Sequence, residues 1–97
     1  MKRYRVVFSE EAVGDLALSY EWGCETWGEE AAWHWYTGLK HSIHQLLGTF
    51  PASQPIAPDN DEYDVEARQM IVGRYRVIIT IQGRIVTVLQ IRGPFTG

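Results

Sequence analysis

The sequence predicts a single α+β domain of order β-α-α-β-β-β, with a helical hairpin packed on one face of a mostly antiparallel sheet. Three observations lead there. A short alternating stretch rich in β-formers occupies 4–8. Apolar residues then recur at spacings of three and four through 10–48, the period of amphipathic helices. After residue 65 the period shortens, and Val- and Ile-rich runs are punctuated by glycine. A chain of 97 residues makes one domain, 1–97, and buries roughly 65% of the surface its unfolded form exposes.

The first strand is expected at 4–8. Ser9 follows as a helix N-cap, with Glu10 and Glu11 where the helix dipole favours negative charge. Val13, Leu16, Ala17 and Tyr20 form the apolar stripe of a helix reaching Trp22, and Gly23 is expected to end it. Thr26-Trp27-Gly28-Glu29 fits a capping box opening a second helix. The stripe of that helix is Ala32, Trp35, Tyr36, Leu39, Ile43, Leu46 and Leu47, and Gly48 is its expected stop. The short link predicts an antiparallel hairpin. Residues 50–64 hold three prolines, four acids and an Asn and read as a loop. Strands at 65–72, 75–81 and 85–91, joined by turns at Gly73-Arg74 and Gln82-Gly83, form an antiparallel meander.

The apolar fraction of 45% and charged fraction of 22% are those of an ordinary globular domain. One cysteine, Cys24, makes no internal disulfide and fits a reducing compartment. The start of the chain lacks the apolar core of a signal peptide, and no run reaches the roughly 20 apolar residues of a membrane span. A cytoplasmic location is the expectation.

Charge is segregated along the chain. All basic residues except Lys40 lie near its ends, whereas all twelve acids fall between Glu10 and Glu66. Period-2 alternation assigns Tyr75, Val77, Ile79 and Ile81 to the helix side, leaving Arg74, Arg76, Ile78 and Thr80 opposite. Glu66, Arg68, Met70 and Val72 share a face in the second strand, as do Arg84, Val86, Val88, Gln90 and Arg92 in the fourth. Arg68, Arg76 and Arg92 are thereby expected to meet on an open sheet face, a surface suited to phosphate or an acidic partner.

The chain resembles the RelE/ParE toxin superfamily of type II toxin–antitoxin systems. The resemblance is carried by Tyr4-Arg5-Val6-Val7-Phe8-Ser9, by Ala12, Asp15 and Leu16, and by Trp35, Leu39, Ile43 and Leu46 leading to Phe50-Pro51. Its most specific part runs from Arg68 through Val72-Gly73-Arg74-Tyr75-Arg76-Val77-Ile78 to Ile85-Val86-Thr87-Val88-Leu89-Gln90-Ile91. It implies a plasmid-stabilisation or growth-inhibiting toxin neutralised by a cognate antitoxin, as a homodimer or a toxin–antitoxin hetero-oligomer. Its target is then either DNA gyrase, as for ParE-like members, or ribosome-bound mRNA, as for nucleases. A nuclease needs a base, cations for the phosphorane and an acid for the leaving oxygen. Arg68 and Arg76 match arginines of nuclease members, and Glu66 is the candidate base. Where many relatives place a His this chain has Arg92, which holds its proton at neutral pH, followed by Gly93-Pro94-Phe95-Thr96-Gly97. The resemblance therefore leans to a ParE-like binding toxin, with Arg68, Arg74, Arg76 and Arg92 as binding-face candidates. A module that has kept antitoxin binding but lost toxicity is the third reading.

Plainer readings stand beside these. Arginines on a solvated face pair with nearby acids and keep a small protein soluble. Arg3 and Arg5 protect an edge strand from aggregation. His34, His41 and His44 have no carboxylate or cysteine to complete a metal set, so neither metal nor cofactor is expected. Trp22, Trp27 and Trp33 are core packing or an exposed patch for a partner. The acidic segment 59–64 is solvated, or folds over the basic face in place of phosphate.

Overall fold

The structure is a computed structural model that describes residues 3–93; Met1, Lys2 and 94–97, on which part of the reading of the chain ends rests, lie outside the described residues. The elements follow the expected order: β1 (Arg5–Phe8), α1 (Glu10–Trp27), α2 (Glu29–Thr49), β2 (Arg68–Val72), β3 (Tyr75–Gln82) and β4 (Ile85–Arg92). Short 3-10 turns at Pro51–Ser53 and Asn60–Glu62 interrupt the connection between α2 and β2.

The sheet order is β1-β4-β3-β2. β2, β3 and β4 form the expected meander, and β1 joins β4 in parallel. Both turns of the meander place a glycine at positive φ first, Gly73 and Gly83 at +60°, which matches the twist of the flanking strands. The second turn is Gly83-Arg84 rather than Gln82-Gly83, because Gln82 still pairs with Ile85. Arg5 stands exposed on the edge strand β1.

The helical hairpin covers one sheet face. Ala12 and Leu16 of α1 and Leu39, Ile43 and Leu47 of α2 pack on Met70, Val77, Ile79, Val86, Val88 and Ile91. Ser9 caps α1, its Oγ accepting from the Ala12 N–H at 3.1 Å and donating to the Leu89 carbonyl at 2.9 Å. Asp15 ties α1 to the sheet, since Oδ2 accepts the Ile91 N–H at 2.8 Å.

The hairpin corner departs from expectation. α1 continues through Gly23 to Trp27, Thr26 is helical rather than a cap, and the break falls on Gly28 alone, at φ +93°. Gly23 is buried against α2 instead. The buried stripe of α1 is accordingly Ala12, Leu16, Ser19 and Gly23, while Val13 and Ala17 face solvent. Similarly α2 passes through Gly48, which is buried at its C-terminus and whose carbonyl accepts the Tyr4 N–H.

The second sheet face is not open. Residues 54–67 form a strap over it, and Ala57, Ala67 and Tyr63 pack on Ile78 of β3 and Leu89 of β4. The strap covers Ile78 and Leu89 and leaves Ile71, on the same face, exposed. The strap is held by backbone bonds from Ala57 N to Ala67 O and from Gln69 N to Pro55 O. The Ala67 N–H also donates to Asn60 Oδ1 at 2.6 Å. β2 starts at Arg68, three residues later than expected, because 65–67 belong to this strap.

Candidate functional site

Two features of the surface carry chemistry. The first lies under the strap. Arg76 of β3 and Arg92 of β4 are direct cross-strand partners, a pairing of like charges that by itself destabilises a sheet. A register shift between Ile78 and Ile79 produces it. Val86 and Val88 face the helices before the irregularity. Beyond it Gln90 pairs with Ile78, and Arg92 pairs with Arg76, so the alternation that would have put Gln90 and Arg92 with the valines is broken.

The two guanidiniums are differently satisfied. Arg76 Nη2 forms an ion pair with Asp59 Oδ1 at 2.9 Å, and its Nε donates to Gln69 Oε1 at 2.9 Å. Arg92 donates through Nη2 to Gln90 Oε1 at 2.9 Å. The Tyr63 hydroxyl donates to the same oxygen. Burial raises the Tyr63 pKa, while the positive charges of Arg92 and Arg76 pull it back.

The second feature is an apolar groove of about 550 Å³ between the hairpin corner and the β2–β3 turn. Trp22, Trp27, Trp35 and Tyr75 form its wall, and Arg74 stands on its rim. The rings are stacked edge to face or tilted: Trp22 on Trp27 at 5.1 Å, Trp27 on Trp35 at 6.1 Å, Trp35 on Tyr75 at 5.3 Å. Tyr75 lies buried at the base, where desolvation pushes its phenol up to about 12 against the opposing pull of the Ser19 hydroxyl. Trp22 and Trp27 stay partly exposed.

No protein-family model matches the chain, and no curated protein matches it by sequence. Among solved structures, a chain of the chromosomal ParDE TA system from P. aeruginosa shares its backbone, with a TM-score of 0.75 over 93% of this chain and 95% of that one. The fold is ParE-like. At 15% identity the likeness concerns the path of the backbone and not the side chains that occupy it.

On this ParE-like scaffold the candidate residues separate. Arg76 and Arg92 share the strap side, but not with Val86 and Val88 as expected: the valines face the helices, and only the register shift brings Arg92 round to Arg76. Arg68 does not join them: its Cα pairs with Ile79, which belongs to the helix-side core. Its side chain donates to the carbonyls of Ala52 at 3.3 Å and Gln54 at 2.7 Å, and pairs with Glu66 at 3.2 Å. Alternation groups Arg68 with Met70 and Val72 within β2 but does not say which face of the sheet that group takes. The hairpin register sets 68 opposite 79 and 76 opposite 71, and so puts them on opposite faces. Arg74 and Arg84 are exposed at the two turns.

Of the two readings of the acidic segment 59–64, solvated or folded over the basic face, the second holds for Asp59, which pairs with Arg76, while Asp61, Glu62 and Asp64 are exposed. Gln69 and Tyr63 have no signal in the sequence. Trp33 does not line the groove and packs on Tyr20 and Tyr36. His44 stacks against Phe8 at 5.5 Å. Among the described residues no group of three or more His, Cys, Asp or Glu is placed to hold a metal ion, and no helix is long and apolar enough to cross a membrane.

Proposed function

We propose that this chain is the toxin of a type II toxin–antitoxin pair, that it acts in the cytoplasm by binding a DNA gyrase-type target, and that a cognate antitoxin neutralises it. The observation that carries the reading is the ParE-like backbone over 93% of the chain, shared with a chain of a ParDE TA system. An antitoxin segment is the occupant best suited to the tryptophan-lined groove. Large, stiff aromatic rings with part of their surface exposed are the typical anchors of a protein–protein contact.

The separation of Arg68 and Glu66 from Arg76 favours binding over catalysis. Transesterification of RNA needs a base, cations and an acid converging on one phosphate. Here Glu66 and Arg68 neutralise each other at the β2 edge, and Arg76 already carries Asp59 on the other face. The ribosome-dependent nuclease remains the second reading, supported by Arg76, Arg92 and Tyr63 on one face. Inducing the chain in bacteria decides between them. Filamentation with an SOS response, and inhibited supercoiling by purified gyrase, are expected. Rapid translational arrest with cut transcripts would replace the gyrase reading by the nuclease one, and harmless induction would leave an antitoxin-binding module without toxicity.

A further inference from the structure

The cross-strand arginine pair is an arrangement the fold does not require. Arg76 and Arg92 face each other on adjacent strands, and sequences avoid like charges in that position unless something negative lies between them. The negative group present is Asp59, and it engages only one side of the pair, through a single oxygen on Arg76 Nη2. Among the described residues Arg92 is in no ion pair; its guanidinium donates to the neutral oxygen of Gln90. Tyr63 lies within electrostatic reach of both arginines. Asp59 reaches the site from the strap, which is attached to the sheet by a small apolar contact, a backbone bond from Gln69 N to Pro55 O, and side-chain bonds of Tyr63 to Gln90 and of Arg68 to the Gln54 carbonyl.

We infer that Arg76, Arg92 and the Tyr63 hydroxyl form a binding site for a single compact phosphate group, and that Asp59 is a built-in surrogate which the phosphate displaces. A tetrahedral anion has enough oxygens to take donors from both guanidiniums and the phenol together, which one carboxylate oxygen does not. The size limit follows from the strap itself. Asp61, Glu62 and Asp64 are exposed on the same segment, and they repel the successive phosphates of a nucleic-acid strand while leaving room for one. The site stands on the geometry of strap and sheet, whether or not the chain is a toxin.

The test is titration of inorganic phosphate into the full chain, read by the Nε–H resonances of Arg76 and Arg92. Asp59→Asn removes the competing charge and keeps an acceptor for Arg76, so it should bind phosphate about tenfold or more tighter than the wild type. Adding Arg92→Gln should cancel the gain. A folded Asp59→Asn protein that binds no tighter, or a gain that survives Arg92→Gln, overturns the site. If Asp59→Asn does not fold, the wild type decides. Phosphate should then shift the Arg76 Nε–H and speed hydrogen exchange at the Ala57 and Ala67 amides, and unchanged signals reject displacement. A short single-stranded RNA that binds Asp59→Asn more tightly than phosphate does, with a steep salt dependence, would overturn the restriction to a compact ligand.

Discussion

Gly23 of α1 packs directly against Ala32 of α2. A β-carbon added to Gly23 would stand 3.2 Å from the Ala32 Cβ and 3.3 Å from the Trp27 ring. The Ala32 Cβ is fixed to the backbone of α2, so the helices must part to admit it. Gly14, by contrast, has nothing within 4 Å. Gly14→Ala should therefore stabilise the protein by about 0.5–1 kcal/mol, the usual gain at an unstrained helical site. Gly23→Ala should forfeit that gain and lower the melting temperature. Equal effects in thermal denaturation would show that the hairpin is not close-packed at this point.

Asp15 reaches across from α1 to a strand amide. Replacing it with Ala leaves the Ile91 N–H, in a nearly inaccessible residue, without its acceptor, a loss of about 1–3 kcal/mol. Asp15→Asn keeps an oxygen and should lose less. Urea denaturation of the two variants checks the order, and a reversed order would argue that the carboxylate charge matters more than the acceptor.

Strap and domain should be separable. Asn60→Ala removes the acceptor for the Ala67 N–H and should speed hydrogen exchange at Ala57 and Ala67 by local opening. Amides of Leu39 and Ile43 in the helical hairpin should keep their protection. Loss of protection in both regions at once would mean that strap and core unfold as one unit.

Alkaline pH should undermine the groove. The Tyr75 phenol lies near 10 in the unfolded chain and is pushed up to about 12 in the fold. Between those values the folded state holds a proton that the unfolded state has lost, so stability is intact below pH 10 and falls as pH rises towards 12. Ultraviolet titration compared with Tyr75→Phe should show Tyr75 ionising only with the loss of structure. Ionisation of every tyrosine near 10 with the fold intact would contradict the burial.

The groove reading predicts a division of effects. Trp27 is half exposed, so Trp27→Ala should weaken antitoxin binding by tenfold or more, about 1.4 kcal/mol or above, while growth inhibition persists. Unchanged antitoxin affinity in calorimetry would place the antitoxin elsewhere.

The fold was legible because period and punctuation agree. Ser9, the two amphipathic segments and the glycine turns each lead to the observed element. What escaped the sequence has local physical causes. A stripe such as Ala12, Ser19 and Gly23 is weakly apolar, so the larger Val13 and Tyr20 outweigh it in the sequence pattern. Gly23 and Gly28 look alike as letters, yet only Gly28 has positive φ, and only Gly23 faces a close neighbour. The site was half legible: Arg76 and Arg92 converge, whereas Arg68 turns away through a pairing register that alternation does not fix. The role of Asp59 depends on a strap whose path no periodicity encodes.

The placement of β4 has a temporal consequence. It is synthesised after the other three strands of the sheet, yet it lies between β1 and β3, and Val86, Val88 and Ile91 form part of the floor beneath both helices. The Ser9 hydroxyl that starts α1 waits for the carbonyl of Leu89, 80 positions away. A nascent chain lacking β4 therefore holds a helical hairpin with an incomplete floor and a first strand with no neighbour. Closure over so long a span is intrinsically slow. The finished fold thus waits until β4 has cleared the ribosome, an interval in which the exposed underside of the hairpin is open to other contacts.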